Sequence, residues 1–490
     1  MPTRTTREKV AHLLRRFGLG ASHQELDSYT RLGVDGALNK LLHYEGVEET
    51  FNVGPWSYAF DTSPQKVSVD NSRFVAWWAT KMLLTNRPLQ ENLTLFWHNH
   101  FAVSGSKIEY GAMMLEYLEL LRHEANGSFR RLLSKVAHDP AMIKWLDSDT
   151  NIKGKPNENF AREVMELFTL GIGHYIEKDV QEAARAFTGW GIKNAVSFPP
   201  KTPYVMQITM NLEAERPMIC FTDSPALHDD GFKTILGKRA AFDAEAVFDL
   251  LIAQLAHAPF LMKKMWEWFA YPNPDEKTLD RMCKVYLDNK TEIKPVLQAF
   301  ATSDEFWSDR CMRAVVKSPV AYTISIARQL NLEPVLSQKA NMNASLTEPV
   351  HNSLLSTGYF LAQLMQKQGL QLLYPPDVSG WRWGSHWITT AAMMERVRIG
   401  DYLFRQRQGL VVPNLWKQIN DAYKPATSEQ IVDAIVAWFD APVDNETKAV
   451  LVKAVDASGG PKAFAAAKTA GPVFNNVFRL LASVPEFQMC

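Results

Sequence analysis

The stretch "FVAWWATKMLL", Phe74 to Leu84, decides the fold class because its apolar residues recur at intervals of three and four. That interval is the period of an α-helix and differs from the alternation of a half-buried strand. The same period runs through "GAMMLEYLELLRHEA", "AEAVFDLLIAQLAH" and "VHNSLLSTGYFLAQLMQKQ". Pro88 opens one helical segment and Gly171 closes another, as expected of these residues. The chain is therefore predicted to be mainly α, a multi-helical globular body.

Two segments interrupt the helical pattern. Residues 198–238 are rich in Pro, Gly and Asp and contain β-prone runs such as Tyr204 to Met210, so we expect a small β-hairpin or irregular insertion there. The Trp-rich stretch "YPPDVSGWRWGSHW", residues 374–387, is broken by proline and glycine and is predicted to be a loop. We expect residues 1–400 to form one helical domain that contains both segments. Residues 401–490 are predicted to be a C-terminal helical extension packed on it.

Composition excludes several classes of protein. The chain has 490 residues, and its 53 basic residues equal its 53 acidic residues, so no net field favours nucleic acid or an acidic membrane surface. Its four cysteines are too scattered for a zinc site or a disulfide scaffold. No window reaches the roughly 18 apolar residues of a membrane span. The N-terminus lacks the order of a secretory signal, which predicts a cytoplasmic location, with export by another route left open.

The stretch "NENFAREVMELFTLG", Asn157 to Gly171, carries the first candidate site. On an α-helical wheel Arg162, Glu163 and Glu166 share one arc, opposite an apolar arc. Asn157 is placed to cap the helix, and Glu158 lies in its first turn. The alternative is an ordinary solvent-exposed helix face, on which Arg162 and Glu166 form a surface ion pair.

A second helix is predicted to follow the short glycine turn at once, with Asp179, Glu182 and Arg185 along one face. Two helices joined so closely tend to pack as a hairpin. If their polar faces meet, the carboxylates become buried, and a buried carboxylate shifts its pKa or takes up a cation. This is the arrangement expected of an active site.

Histidines supply candidate metal ligands. His98 and His100 lie in "LFWHNHF", and His228 lies in "LHDDGFKTILG". With Glu163 and Glu166 they are the ligand types of a divalent metal such as zinc, iron or manganese. His98 and His100 point apart on a regular helix, so a shared ion requires the helix to end here. The alternatives are hydrogen-bonded core histidines and, for the His228 loop, a simple turn.

The Trp-rich loop offers a candidate ligand-binding surface. Flat aromatic faces suit a sugar or an aromatic ligand, although tryptophans after tight turns also fix loops to the core. The candidates are Asp377, Trp381, Trp383 and Trp387.

Eight motifs in the same order carry a family resemblance: "HLLRRFGLG", "FWHNHFAVS", "DPAMIKWLD", "PNENFAREVMELFTLG", "YIEKDVQEAARAFTGW", "HDDGFKTILGK", "VKSPV" and "YPPDVSGWRWGSHWI". From about His12 to about Trp387 the chain resembles a large bacterial family of uncharacterised proteins, the domain-of-unknown-function family numbered eighteen hundred. The resemblance implies that the motif residues share one polar centre, and that relatives are encoded beside a sulfatase-like family and many are exported. This chain departs from the family pattern at Ile176, because a threonine usually caps the second predicted helix at that position. The motif residues concerned are His98, His100, Asn157, Glu158, Arg162, Glu163, Glu166 and His228.

Three functions compete on these observations. The first is a metal-dependent, hydrolase-like enzyme acting on a polar or carbohydrate-like substrate, with Glu163 or Glu166 as ligand or general base and Arg162 stabilising negative charge. The second is a non-catalytic scaffold or partner, for instance of the sulfatase-like neighbour, in which the same residues form a closed ion-pair network. A haem-binding oxidoreductase is the third.

Overall fold

The computed structural model describes residues 4–60, 67–340, 348–403, 414–467 and 471–490. It is 61% helical and 5% strand, which confirms the mainly α prediction. The helices before the insertion are α1 (Thr6–Phe17), α2 (His23–Arg31), α3 (Gly33–Leu42), α4 (Pro55–Ala59), α5 (Asn71–Leu84), α6 (Pro88–His100), α7 (Gly111–His123), α8 (Phe129–Ala137), α9 (Pro140–Trp145), α10 (Asn159–Glu163) and α11 (Glu177–Ala186).

Most of the chain after α11 is also helical. The helices as far as the Trp-rich loop are α12 (Tyr204–Glu213), α13 (Ala244–Ile252), α14 (His257–Phe269), α15 (Glu276–Asp288), α16 (Ile293–Ala301), α17 (Pro319–Gln329), α18 (Glu333–Ala340) and α19 (Asn352–Lys367). Those beyond it are α20 (Thr390–Val397), α21 (Ile399–Leu403), α22 (Leu415–Tyr423), α23 (Ser428–Trp438), α24 (Asn445–Ala457), α25 (Gly460–Ala466), α26 (Gly471–Leu481) and α27 (Pro485–Gln488). Short 3₁₀ turns occupy Tyr44–Gly46, Ser148–Thr150 and Gly384–Trp387. In the described ranges no helix by itself has the length and apolarity to cross a membrane, and one bent pair, α13 with α14, passes that test on length and composition only.

Helix α5 is buried along nearly its whole length. Asp70 begins it by accepting a hydrogen bond from the backbone N–H of Ser72 at 2.9 Å. Arg328 of α17 ends it, because its guanidinium donates to the carbonyl oxygens of Met82 and Thr85. Gly358 lets α19 pack closely on α5, since a Cβ there would lie 2.1 Å from the carbonyl oxygen of Ala76.

Two small antiparallel hairpins occupy the predicted insertion region and its margin. Strand β1 (Trp190–Asn194) pairs with β2 (Ile219–Asp223), and β3 (Lys233–Ile235) pairs with β4 (Lys238–Ala240). The prediction of a small β element is confirmed.

The β-prone run from Tyr204 to Met210 was assigned wrongly, because it forms most of helix α12. Ile208 and Asn211 lie three residues apart on one helical face and are both buried. Burial of that face therefore outweighs the β preference of the branched side chains.

The C-terminal helices pack against the N-terminal part of the chain. The backbone N–H of Cys490 donates to the carbonyl oxygen of Val315 at 2.8 Å. The backbone N–H of Lys317 donates to the backbone carbonyl oxygen of Gln488 at 2.8 Å. Asp440, after α23, forms ion pairs with Arg15 of α1 and with Arg313. The domain boundary near residue 400 stays a prediction.

Candidate functional site

The polar stretch begins as a regular helix and changes to a π-helix. Helix α10 ends at Glu163, and Val164–Leu170 forms a seven-residue π-helix. The i→i+5 hydrogen bonds of a π-helix widen the turn, so an α-helical wheel no longer places residues correctly after Glu163. The predicted pair of Arg162 and Glu166 is absent among the described contacts. π-Helices are rare and frequent at functional sites, which directs attention to this segment.

Two histidines from distant helices stabilise the end of the π-helix. His100 Nε2 donates to the carbonyl oxygen of Phe168 at 3.1 Å. His257 Nδ1 donates to that of Thr169 at 3.1 Å, so its Nε2 accepts from the Tyr286 hydroxyl at 2.9 Å. The two imidazoles therefore bind carbonyl groups that the widened turn exposes.

His98 lies in a different, apolar environment. Its ring is fully buried and contacts Trp78, Tyr117 and Trp381. Neither ring nitrogen has a hydrogen-bond partner among the described residues. Burial lowers the pKa of His98 to about 4, so the imidazole is neutral at physiological pH.

Helix α6 does end at His100, which the metal prediction required. The two histidines nevertheless lie among different aromatic groups, His100 against Phe101 and Phe168, and burial holds its pKa well below the ordinary value. Across the described residues, no three His, Cys, Asp or Glu side chains form a group that could hold a metal ion. Among the described residues, the histidine and carboxylate ligands proposed from the sequence therefore do not form one metal-binding group.

An acidic cluster lies on the accessible side of the same segment. Glu163 is half-buried, and no described residue donates a hydrogen bond to its carboxyl group or pairs with it. Burial raises the pKa of Glu163, the charges of Glu166 and Asp377 raise it further, and Arg162 opposes them. Glu166 accepts a hydrogen bond from the Tyr175 hydroxyl. Two neighbouring carboxyl groups therefore have different environments, one unpaired and one hydrogen-bonded.

Arg162 is engaged by other carboxylates. Its two Nη atoms donate to Glu177 at 3.0 and 2.6 Å, and Nη2 also contacts Glu158 at 3.2 Å. The hydrogen bonds to Glu177 raise the pKa of Arg162. Asn157 accepts from the backbone of Asn159 at 3.0 Å and thereby orders the start of the helix. The structure thus places Asn157, Glu158 and Arg162 in contacts that fix the entry to the site.

The His228 loop packs on α11. His228 Nδ1 donates to the carbonyl oxygen of Thr188 at 2.9 Å. The Asp229 carboxylate accepts a hydrogen bond from Arg185 Nε at 2.8 Å. The hydrogen bond from Arg185 lowers the pKa of Asp229 to about 2. Glu182 pairs with the same guanidinium at 2.9 Å.

The polar face of α11 therefore contacts this loop and the β3–β4 hairpin. Asp179 accepts the backbone N–H of Leu236 at 2.7 Å and that of Ile176 at 3.0 Å. The second bond is half of a capping box, because isoleucine has no polar atom to complete it.

Tryptophans of residues 374–387 contact the core. The backbone N–H of Trp381 donates to Asn99 Oδ1 at 2.6 Å, and the Trp381 indole stacks on His98 with 5.4 Å between ring centroids. Trp383 stacks on Trp268 at 3.7 Å. Trp387 is 5% exposed, whereas Asp377 is exposed near Glu163. This loop therefore brings one carboxylate to the cluster and buries most of its aromatic surface.

Sequence reasoning missed several ionisable groups whose pKa is shifted by burial. Burial lowers the pKa of Lys264 to about 8, and no described side chain forms an ion pair with it. Burial also raises the pKa of Glu116 to about 7 and that of Asp139 to about 8. The available signal was a charged residue within a largely apolar run, such as Lys264 in "LMKKMWEWF".

The family model described as "Protein of unknown function (DUF1800)" matches residues 12–489. The match confirms the resemblance and extends it past Trp387 through the C-terminal helices. No curated protein and no solved structure matches the chain. Because the matched range covers nearly all of the 490 residues, the chain belongs to the DUF1800 family.

Proposed function

We propose that the protein is a hydrolase-like enzyme that uses the carboxyl groups of Glu163 and Glu166 for acid–base chemistry on a polar or carbohydrate-like substrate. The observation that carries the proposal is the half-buried carboxyl group of Glu163, unpaired among the described residues and adjacent to two further carboxylates. Perturbed carboxyl groups at an accessible position are the usual acids and bases of hydrolases.

The two carboxyl groups are suited to different roles. Burial and its acidic neighbours favour the protonated form of Glu163, so this residue is the proposed proton donor. Glu166 is held by the Tyr175 hydroxyl and is the proposed base or nucleophile. Pairs of carboxyl groups in different environments perform glycoside hydrolysis in many enzymes.

Arg162 orders this site through its contacts with Glu158 and Glu177, which compensate its charge. The metal-dependent form of the proposal keeps Glu163 and Glu166 as oxygen ligands. In the described structure His98 and His100 are buried and contact aromatic side chains. The test is therefore run both with and without divalent cations.

The test is turnover of chromogenic glycosides, esters and sulfates by the purified protein, with EDTA or with Mg²⁺, Mn²⁺ or Zn²⁺. Glu163→Gln should lower turnover about 10²–10⁴-fold, as expected when a general acid is removed. Glu429→Gln is the matched control, because it makes the same exchange at an exposed glutamate of α23 outside the Glu163 cluster, and turnover should stay within a few-fold. Equal turnover by Glu163→Gln, or no turnover of all three substrate classes, contradicts the proposal.

A non-catalytic partner protein is the second candidate, and one observation favours it. Ile172 is 81% exposed and Ile176 is 67% exposed in the turn that carries Tyr175. Exposed apolar side chains beside paired charges are typical of a protein-binding surface. A sulfatase-like protein is the proposed partner, because of the gene neighbours that the family resemblance implies.

Co-elution of the two purified proteins in size-exclusion chromatography tests this candidate. Exchange of both isoleucines, Ile172→Ser with Ile176→Ser, should abolish co-elution if the turn is the interface. Val450→Ser, which changes an exposed apolar residue of the C-terminal helix α24, is the control. Separate elution of the unsubstituted proteins counts against the candidate.

A further inference from the structure

A pocket of about 240 Å³ lies beside α12, the β1–β2 hairpin and the start of α7. Its volume is slightly below the range of about 300–1,000 Å³ that is common for drug-sized ligands, so it suits a small ligand. None of the described residues that line it carries a formal charge, and none belongs to the Glu163 cluster. The lining residues that matter here are Tyr110, Asn194, Phe198, Tyr204, Gln207 and Asn211.

Asn211 gives the pocket an unused acceptor. Its side chain is 3% exposed, and its amide nitrogen lies 3.3 Å from the Met218 sulfur. Its Oδ1 is buried and has no hydrogen-bond partner among the described residues. A buried carbonyl without a partner costs about 1–3 kcal/mol, which a donor from a ligand would recover.

Two tyrosines and a glutamine add complementary groups. The Tyr204 hydroxyl donates to the Tyr110 hydroxyl at 2.9 Å, which leaves the Tyr110 O–H free to donate. Gln207 Nε2 donates to the Thr202 carbonyl at 2.9 Å, which leaves its Oε1 as an acceptor. The pocket therefore combines donors, acceptors and aromatic rings without charge.

We propose that this pocket binds an uncharged saccharide. A sugar hydroxyl both donates and accepts, so one hydroxyl can donate to Asn211 Oδ1 while another accepts from Tyr110. The ring of Phe198 offers a flat apolar face for the C–H side of a sugar. An anion would lack a cationic partner in this lining, and a cation would lack a carboxylate.

The test is binding of the labelled, full-length protein to an array of neutral di-, tri- and tetrasaccharides that also displays sulfated and carboxylated glycans. At least one neutral glycan should be bound, and the bound glycan should then give saturation-transfer NMR signals in solution. The readout is binding alone, so its outcome is independent of the acid–base proposal for Glu163.

Variants assign the binding to this pocket. Asn211→Leu should weaken it at least about tenfold, and the milder Tyr110→Phe about three- to tenfold, by removal of single hydrogen bonds. Tyr359→Phe, which alters a tyrosine beside Ser72 outside the pocket, should bind as the unsubstituted protein does. The proposal is overturned if no neutral glycan binds, if only charged glycans bind, or if Tyr110→Phe and a folded Asn211→Leu retain full affinity.

Discussion

At the scale of single residues, this protein places ionisable groups in environments that change their protonation. Glu163 is the accessible example, because its carboxyl group faces Glu166 and Asp377 without an ion pair from the described residues. Asp139 is a buried example, with its pKa raised to about 8 by burial and by the charge of Glu116. Burial alone suffices for such a shift, but position at an accessible face is what makes Glu163 the candidate for chemistry.

Asp139 should make the stability of the protein depend on pH. Its folded-state pKa of about 8 exceeds the ordinary 3.8, so the folded state binds more protons between these values. Stability contributed by this group is therefore present at low pH and is lost as pH rises through this window. Asp139→Asn keeps an acceptor for the Ala141 N–H, and at pH 9 it should raise the free energy of unfolding by at least about 1 kcal/mol.

Thermal unfolding at pH 4, 6, 8 and 9 measures this effect. Asp243→Asn is the control, because Asp243 caps α13 in the same way but is exposed. If the unfolding temperatures of Asp139→Asn and the unsubstituted protein differ by the same amount at all four pH values, Asp139 ionises normally and the prediction is contradicted.

At the scale of elements, close packing and helix ends explain the arrangement. Arg16 of α1 ends α14, because its guanidinium donates to the carbonyl oxygens of Trp268, Phe269 and Ala270. Arg328 does the same for α5. These buried cations satisfy carbonyl groups that a helix leaves unpaired at its C-terminus. The core helices are thus joined by charge-assisted hydrogen bonds as well as by apolar contact.

The approach of α19 to α5 should be sensitive to one methyl group. In Gly358→Ala the new Cβ would lie 2.1 Å from the Ala76 carbonyl oxygen, so the two helices must separate. We expect a loss of about 1–3 kcal/mol, typical of an overpacked core, seen as a lower midpoint of urea unfolding. Gly46→Ala is the control, since no atom lies within 4 Å of its added Cβ. Equal midpoints for the two variants would contradict the close approach.

At the scale of the whole molecule, charges bind the C-terminal helices to the N-terminal part. Asp440 forms ion pairs with Arg15 and Arg313. Burial raises the pKa of Asp440, but these two cations and Lys317 outweigh burial and lower it. A carboxyl group with a lowered pKa stabilises the fold above its ordinary pKa and loses that contribution as pH falls. The match of the family model through residue 489 agrees with a C-terminal segment that belongs to the body.

Asp440→Asn should weaken this contact because it leaves cations without their counterion. The Asp440 side chain is 29% exposed, so we expect a loss of about 1–3 kcal/mol, less than for a fully buried pair. Asp433→Asn, which removes an exposed carboxylate paired with Lys448, is the control. The measurement is the urea midpoint at pH 7, and equal midpoints for both variants would count against the proposed role of Asp440.

Local periodicity predicted the helical body, because segments such as Phe74 to Leu84 carry their pattern within one helix. It could not predict the π-helix at Val164–Leu170, since the histidines that bind its carbonyl groups come from α6 and α14. Nor could it show that His98 and Glu163 lie in different environments, because the residues that surround each of them depend on tertiary packing. The family motifs were recognisable throughout, and the predicted roles of their residues stay predictions.

The central claim is that Glu163 carries a perturbed carboxyl group coupled to Glu166 and Asp377. The measurement that tests it most directly is the pKa of Glu163 by NMR titration of protein carrying ¹³C at the glutamate carboxyl carbons, assigned with Glu163→Gln. The account predicts a pKa above the ordinary 4.5, lowered by Glu166→Gln and by Asp377→Asn and raised by Arg162→Gln. A pKa at or below 4.5 that none of the three substitutions moves would contradict the account.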